Sequence, residues 1–166
     1  IGLSNDFPIQ KDLNEELLGD RRHLWLRSQK MSAILKIRSS VTGALHEFFR
    51  SKGFYEFQSP IIIPGGAEEG PTMFELNYFG KKMYLAQTWQ LYAEAAMYAL
   101  EKIYCIAPSF RAEKSKTSRH LTEYWHTEME VAWTSLPELM DYAEEMTKNV
   151  IKRDLEKNKK ELEFLG

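Results

Sequence analysis

The stretch 110–130, FRAEKSKTSRHLTEYWHTEME, concentrates the residues that could do chemistry. Arg111, Lys114, Lys116, Arg119 and His120 crowd its first half, Glu113 stands among them, and Tyr124, His126, Glu128 and Glu130 follow at alternate positions. An arginine offers a planar fork of N–H donors that matches a phosphate, whereas lysines on a loop act as movable point charges. Glu113 could not bind phosphate, but it could accept from an exocyclic amine or an ammonium group. Tyr124 offers a flat ring on which a base could stack, a contact worth roughly 1–3 kcal/mol in single-strand nucleic-acid binders. Phosphate, amine and ring add up to a nucleotide. The competing reading is a solvated hairpin loop whose Arg and Glu side chains form cross-strand ion pairs of about 0.2–1 kcal/mol each. His120 and His126 fit equally well as surface histidines, and with one cysteine in the chain no zinc site is expected. No Walker-type glycine loop, G-x-G-x-x-G or G-x-S-x-G occurs, which disfavours those routes to nucleotide or acyl chemistry.

These residues meet only if the backbone brings them together. Residues 103–113 and 121–131 both alternate like strands, and their antiparallel pairing would turn the intervening KSKTSRH into a basic loop over a sheet. Alternation then puts Arg111 and Glu113 on one face and Phe110 and Ala112 on the other. In the second strand Tyr124, His126, Glu128 and Glu130 lie opposite Trp125, Thr127, Met129 and Val131. Upstream, Ile34, Ile37, Val41, Leu45 and Phe48 mark a helix from Met31 to Lys52, stopped at Gly53. FYEFQSPIII reads as a strand, but Pro60 cannot donate to a ladder and places it at an edge or an interface. PGGAEEGP reads as a loop, NYFGKKMYLA as a hairpin turning near Gly80, and Trp89 to Lys102 as an alanine-rich helix. A last helix opens at SLPE, with Ser135 and Glu138 forming a capping box, and carries an apolar stripe of Leu136, Met140, Ala143, Met146, Val150 and Leu155. Residues 1–28 form a polar lead-in over a surface, and 29–166 form one α+β domain with a mostly antiparallel sheet flanked by helices.

Composition sets the outer limits. The chain has 166 residues, 43% of them hydrophobic, enough for one core without cross-links. Its 22 basic and 24 acidic residues leave a net charge of −2, so an anionic ligand must be met by local clusters rather than by the overall field. Cys105 sits in the apolar run IYCIAP and reads as a buried core residue. No apolar run approaches the roughly 20 residues needed to span a bilayer, and the start has no signal-peptide pattern. A cytoplasmic protein with no membrane partner is expected.

The stretch 110–130 closely resembles motif 2 of the class II aminoacyl-tRNA synthetases in the form of the aspartyl and asparaginyl branch, where F-R-x-E, a variable loop, R-H-x-x-E-[FY] and a further glutamate recur in order. FFRSKGFYEFQSPIII resembles motif 1 of that class, a helix then a proline-bearing strand that forms the family's dimer interface. EEGPTMFELNYFGKKMYLAQTWQLYAEA resembles the stretch joining the amino-acid loop to the Q-x-x-Q-L-Y helix. The resemblance runs from about His23 to Trp133, with motif 1 at about 40–64 and motif 2 at about 108–133.

The resemblance implies a partial class II catalytic domain in which Arg111 holds the α-phosphate of ATP and then the adenylate, and Glu113 contacts the adenine end. It implies that Arg119 and His120 close over the triphosphate or the acceptor end of tRNA, and that Tyr124 stacks on adenine. Glu68, beside a Glu69 that stands where a glycine is common, would meet the substrate's α-ammonium group, while Gln87, Gln90 and Glu94 would line the amino-acid pocket. Ala93 occupies the position of the lysine that faces the substrate carboxylate in aspartyl enzymes, which favours a neutral amide, asparagine, over aspartate. The implied cofactors are ATP and Mg²⁺, and the implied partners are asparagine, tRNA(Asn) and a second copy bound through motif 1. No glycine-rich third motif and no anticodon-binding barrel occur in these residues, so the chain is expected to be a piece of a synthetase, inactive alone. Aspartate–tRNA ligase, a tRNA-independent asparagine synthetase and a non-catalytic dimerising paralogue are the alternatives.

Overall fold

A computed structural model of the chain describes residues 15–66, 73–114, 117 and 119–166. Two short helices, α1 (Glu15–Asp20) and α2 (Arg22–Trp25), lead into the long α3 (Gln29–Ser51). Strands β1 (Tyr55–Glu56), β2 (Ile62–Ile63), β3 (Glu75–Tyr78) and β4 (Lys81–Leu85) follow, then α4 (Gln90–Leu100), β5 (Lys102–Phe110), β6 (Glu123–Val131), α5 (Leu136–Lys157) and α6 (Lys159–Leu165). His46–Met146 form one compact unit; Ile1–Leu45 with Thr147–Gly166 form another.

In the unit His46–Met146 one sheet has the order β1-β5-β6 and the other β2-β4-β3. β5 and β6 pair antiparallel along their whole length, from Lys102 opposite Val131 to Phe110 opposite Glu123. Because side chains alternate across a strand, this register gives the pair two different faces. Ile103 and Cys105 on one face pack with Trp89 and Ala93 of α4, with Phe57, Met97 and Leu100 closing the cluster. On the other face Tyr104 stacks on Phe49 of α3, centroids 4.5 Å apart and planes 17° apart, and Phe48 and Phe54 meet Phe49 edge-on. The β3–β4 turn follows its sequence: Phe79 and Gly80 both take positive φ, 50° and 81°, and Asn77 Oδ1 accepts from Gly80 N at 2.8 Å.

Several expectations need correction. The strand across 54–63 is two strands, since Pro60 splits it: β1 lies at the edge of the first sheet and β2 at the edge of the second, and β1 runs parallel to β5, so the first sheet is mixed. The strand expected through Glu113 ends at Phe110, although Arg111 N still donates to Thr122 O at 3.0 Å. α4 stops at Leu100 rather than Lys102 because Glu101 adopts φ 60° and breaks the helical run. The lead-in 1–28 contains α1 and α2. The apolar stripe of α5 is only partly buried: Leu136 is 70% and Leu155 60% exposed, Met140 and Ala143 are exposed, and Asp154 is the buried residue of that helix. An amphipathic period says which face prefers cover; it does not supply the cover. The capping box forms in altered shape, with Ser135 N donating to Glu138 Oε2 at 2.7 Å while Ser135 Oγ donates to the same oxygen at 2.6 Å. No helix among the described residues is long and apolar enough to cross a membrane.

Candidate active site at the open end of β5 and β6

The face that carries Ile103 and Cys105 continues toward the open end of the pair through Ala107 and Ser109, opposite Glu128, His126 and Tyr124 in turn. Arg111 follows Ser109 by two residues, and its guanidinium lies over the Tyr124 ring, 5.8 Å from the centroid. Arg111 Nε is buried and has no hydrogen-bond partner among the described residues, so a donor stands ready for an acceptor. The Tyr124 ring is also 5.3 Å from the His126 ring. His126 Nδ1 lies 3.2 Å from Ser109 Oγ and 3.3 Å from Glu128 Oε2, which links the aromatic platform to the carboxylate below it.

Glu128 is the junction of the site. Its carboxylate accepts from Thr88 Oγ1 and, at 3.2 Å, from Trp89 N, so a strand side chain satisfies donors at the amino end of α4. Thr88 Oγ1 also accepts from Gln90 N at 3.3 Å. The start of α4 is thus fixed against β6 by Glu128 and by Trp89 Nε1, which donates to Phe57 O at 2.8 Å. Sequence reasoning placed Glu128 on the same face as Tyr124 and gave it no role; alternation was the signal, and the missing piece was that a helix amino end lies opposite.

Burial, and then the neighbouring charges of Glu94 and Glu128, push the Glu130 carboxyl above its usual range. Burial, reinforced by Glu128, pushes the Cys105 thiol up to about 12, so Cys105 is a core residue without nucleophilic character.

The sequence-predicted residues are distributed unevenly. Arg111 and Tyr124 meet; Glu113 is exposed in the loop beyond them, and Arg119 and His120 sit exposed at its far side, where Thr117 Oγ1 and His120 Nδ1 are hydrogen-bonded. Gln87, 2% exposed, lines a cleft of about 470 Å³ with Thr88, Leu91, Tyr92 and the segment Ile63–Gly66. Gln90 and Glu94 are outside that lining and are bonded to each other, Gln90 Nε2 donating to Glu94 Oε1 at 2.9 Å. Ala93 is fully buried against β5, so the helix turns this position into the core. Gly66 approaches so closely that a Cβ there would lie 2.6 Å from Met73 Sδ. Glu68 and Lys116 lie outside the described residues. An arginine beside an aromatic ring, a carboxylate junction and a largely apolar cleft carrying the Gln87 amide and the Thr88 hydroxyl can together take an anion, a planar ring and a small polar molecule.

Residues 14–165 match the family described as tRNA synthetases class II (D, K and N). The asparagine–tRNA ligase of Thermoplasma acidophilum is 49% identical over 160 residues, which is 96% of this chain and 37% of that protein. That of Thermococcus kodakarensis is 48% identical over 158 residues, 95% of this chain and 37% of the relative. The crystal structure of asparaginyl-tRNA synthetase from Pyrococcus horikoshii complexed with asparaginyl-adenylate superimposes with a TM-score of 0.93 at 45% identity, covering 99% of this chain and 38% of that one. The chain thus spans less than two fifths of the length of the relatives it matches.

Proposed function

The chain belongs to the class II tRNA synthetases of the D, K and N group, and from that premise we propose that it is the part of an asparagine–tRNA ligase that holds ATP and asparagine while the adenylate forms. The observation that carries the reading is the meeting of Arg111 and Tyr124 at one end of the β5–β6 face, 5.8 Å apart and a short step from the Glu128 junction. In the proposed reaction a carboxylate oxygen of asparagine attacks the α-phosphorus of ATP. The new P–O bond replaces the bond to the bridging oxygen, and pyrophosphate leaves. The terminal ribose hydroxyl of tRNA(Asn) then attacks the acyl carbon and AMP leaves. No covalent intermediate on the protein is needed, so its contribution is positioning and charge neutralisation.

Arg111 holds the α-phosphate through its fork and its buried Nε, swinging off the Tyr124 ring so that adenine stacks on that face. Glu113 accepts from the adenine end, and Arg119 and His120 close over the triphosphate or the tRNA acceptor end. Gln87, Gln90 and Glu94 serve the amino acid, together with Glu68 at the α-ammonium group. ATP enters with Mg²⁺ as its counter-ion, which would neutralise phosphate charge; among the described residues no group of three His, Cys, Asp or Glu could hold a metal ion. Asparagine is preferred to aspartate because the relatives matched at 49% and 48% identity are asparagine–tRNA ligases. Assembly as a homodimer through residues 40–64 and a cytoplasmic location complete the proposal.

The test is ATP–pyrophosphate exchange by the protein carrying these residues. Exchange should require asparagine and fall at least about a hundredfold in Arg111→Ala, as for loss of one charge-stabilising donor. Faster exchange with aspartate would overturn the choice of amino acid, and full exchange in Arg111→Ala would overturn the phosphate role.

A further inference from the structure

Among the described residues Gly53, Gly80 and Gly166 take positive φ, so backbone conformation accounts for their missing side chains. Gly66 is not one of them. Its reason is space: a Cβ built there would lie 2.6 Å from Met73 Sδ, 3.1 Å from Met73 Cε and 3.2 Å from Gln87 Oε1. Non-bonded heavy atoms sit best at about 3.5–4.0 Å, so each of these approaches is an overlap that something must relieve. At the neighbouring Gly65 a Cβ would meet nothing within 4 Å. The constraint belongs to one position.

The surroundings of Gln87 decide which atoms can give way. Ala86 N donates to Ile61 O at 2.8 Å, and Ala86 O accepts from Phe110 N at 2.9 Å. On the other side Trp89 N donates to Glu128 Oε2 at 3.2 Å. The main chain of Gln87 is thus tethered before and after it, and the residue is 2% exposed. Met73 is half-buried and carries an unbranched thioether with three rotatable bonds. Pressure from residue 66 must therefore go into the Met73 side chain and into rotation of the Gln87 carboxamide.

We propose that Gly66 and Met73 are positioning residues for Gln87: the bare Cα at 66 leaves room for the Met73 thioether, and together they fix the orientation in which the Gln87 carboxamide lines the cleft of about 470 Å³. The choice of asparagine as occupant rests on the ligase reading above, whereas the contacts among residues 66, 73 and 87 do not depend on it. Misplacing a substrate-positioning group by about 1 Å costs on the order of a hundredfold, so the smaller displacement demanded here should cost about tenfold.

The experiment measures ATP–pyrophosphate exchange over a range of asparagine concentrations by the protein carrying these residues. Gly66→Ala should raise KM for asparagine about tenfold with kcat within about twofold, the split expected when ground-state and transition-state binding are lost alike. Met73→Ala removes the colliding atoms, so Gly66→Ala/Met73→Ala should return to within about threefold of Met73→Ala alone. Gly65→Ala should raise KM less than Gly66→Ala does. An unchanged KM in Gly66→Ala, no recovery in the double variant, or an equal effect of Gly65→Ala overturns the proposal. The second readout needs no activity: the side-chain NH₂ resonances of Gln87, assigned by their loss in Gln87→Leu, should move in Gly66→Ala and return toward their original positions in the double variant. If circular dichroism shows Gly66→Ala melting early, Met73→Ala alone decides, and Gln87 resonances unmoved by the loss of Met73 overturn the proposal. Absent exchange in the unsubstituted protein, with the resonances moving as expected, would remove the ligase reading and leave the positioning of Gln87 supported.

Discussion

The two ends of the β5–β6 pair are built on different principles. At the closed end Ile103, Tyr104 and Cys105 are inaccessible, gripped by α4 on one face and by Phe49 on the other. At the open end the ladder finishes at Phe110 and Glu123, and the groups that remain are a guanidinium, a phenol ring and a histidine, each partly accessible. Close packing leaves the closed end no alternative arrangement, and the open end inherits a fixed origin from it while keeping side chains that can move. A site that must bind, react and release needs that combination: a rigid pedestal with an adjustable rim.

Removing packing from the pedestal should cost most. Phe49 has no exposed surface and touches Tyr104, Phe48 and Phe54, so Phe49→Ala should lower unfolding free energy by about 3–5 kcal/mol. Urea denaturation followed by far-UV circular dichroism measures it; a loss under about 1 kcal/mol would mean that the site can collapse and that the pedestal is not close-packed. Glu128→Ala comes next, because it strips an acceptor from Trp89 N and from Thr88 Oγ1 at once. A partner lost from a buried donor costs about 1–3 kcal/mol. The loss should be local, so amide exchange at Trp89 and Gln90 should accelerate more than at Ile103; uniform acceleration would show that Glu128 supports the whole unit rather than the start of α4.

The same contrast explains what the sequence made legible. Period-two alternation from Lys102 to Phe110 and from Glu123 to Val131 needs only local backbone geometry, so the faces of β5 and β6 follow directly from residue order. The hairpin at Gly80 is legible for the same reason, since Asn77 and Gly80 specify its turn chemistry. What stayed hidden is long-range. The separation of Ile62 and Ile63 from Tyr55 into another sheet, the parallel course of β1, and the reach of Glu128 to a helix start 39 residues earlier depend on which surfaces meet. Arg111 was expected on the strand, facing Tyr124 from the other end of a nucleotide; instead it lies one residue past the strand and over the ring itself. Side-chain direction at a strand end is set by contact rather than by alternation.

Glu130→Gln tests whether the acidic group on this face is under strain. Burial, then Glu94 and Glu128, raise the Glu130 carboxyl, so between the ordinary glutamate pKa and the raised one the folded chain keeps a proton that the unfolded chain has released. Stability therefore falls as pH rises through that interval. The amide variant removes this penalty: it should melt at a higher temperature than the parent near neutral pH, by less than Glu128→Ala lowers it. The gain should vanish as pH drops below the ordinary glutamate range. A gain that persists in acid would point to packing rather than charge.

The smallest expected change in stability belongs to the residue with the largest proposed role in the reaction. Arg111 gives the fold a cation–π contact of about 0.5–1 kcal/mol, and its unpartnered Nε costs about 1 kcal/mol, the low end for an orphaned buried donor because the residue as a whole is only half-buried. The two nearly cancel, so Arg111→Ala should shift unfolding free energy by no more than about 0.5 kcal/mol. Calorimetric titration of the same variant with ATP should show a marked loss of affinity, because the proposed guest loses its bidentate phosphate donor. Near-zero stability change with lost binding places Arg111 on the rim, whereas a destabilisation of several kcal/mol would move it into the pedestal and erase the distinction between the two ends of the strand pair.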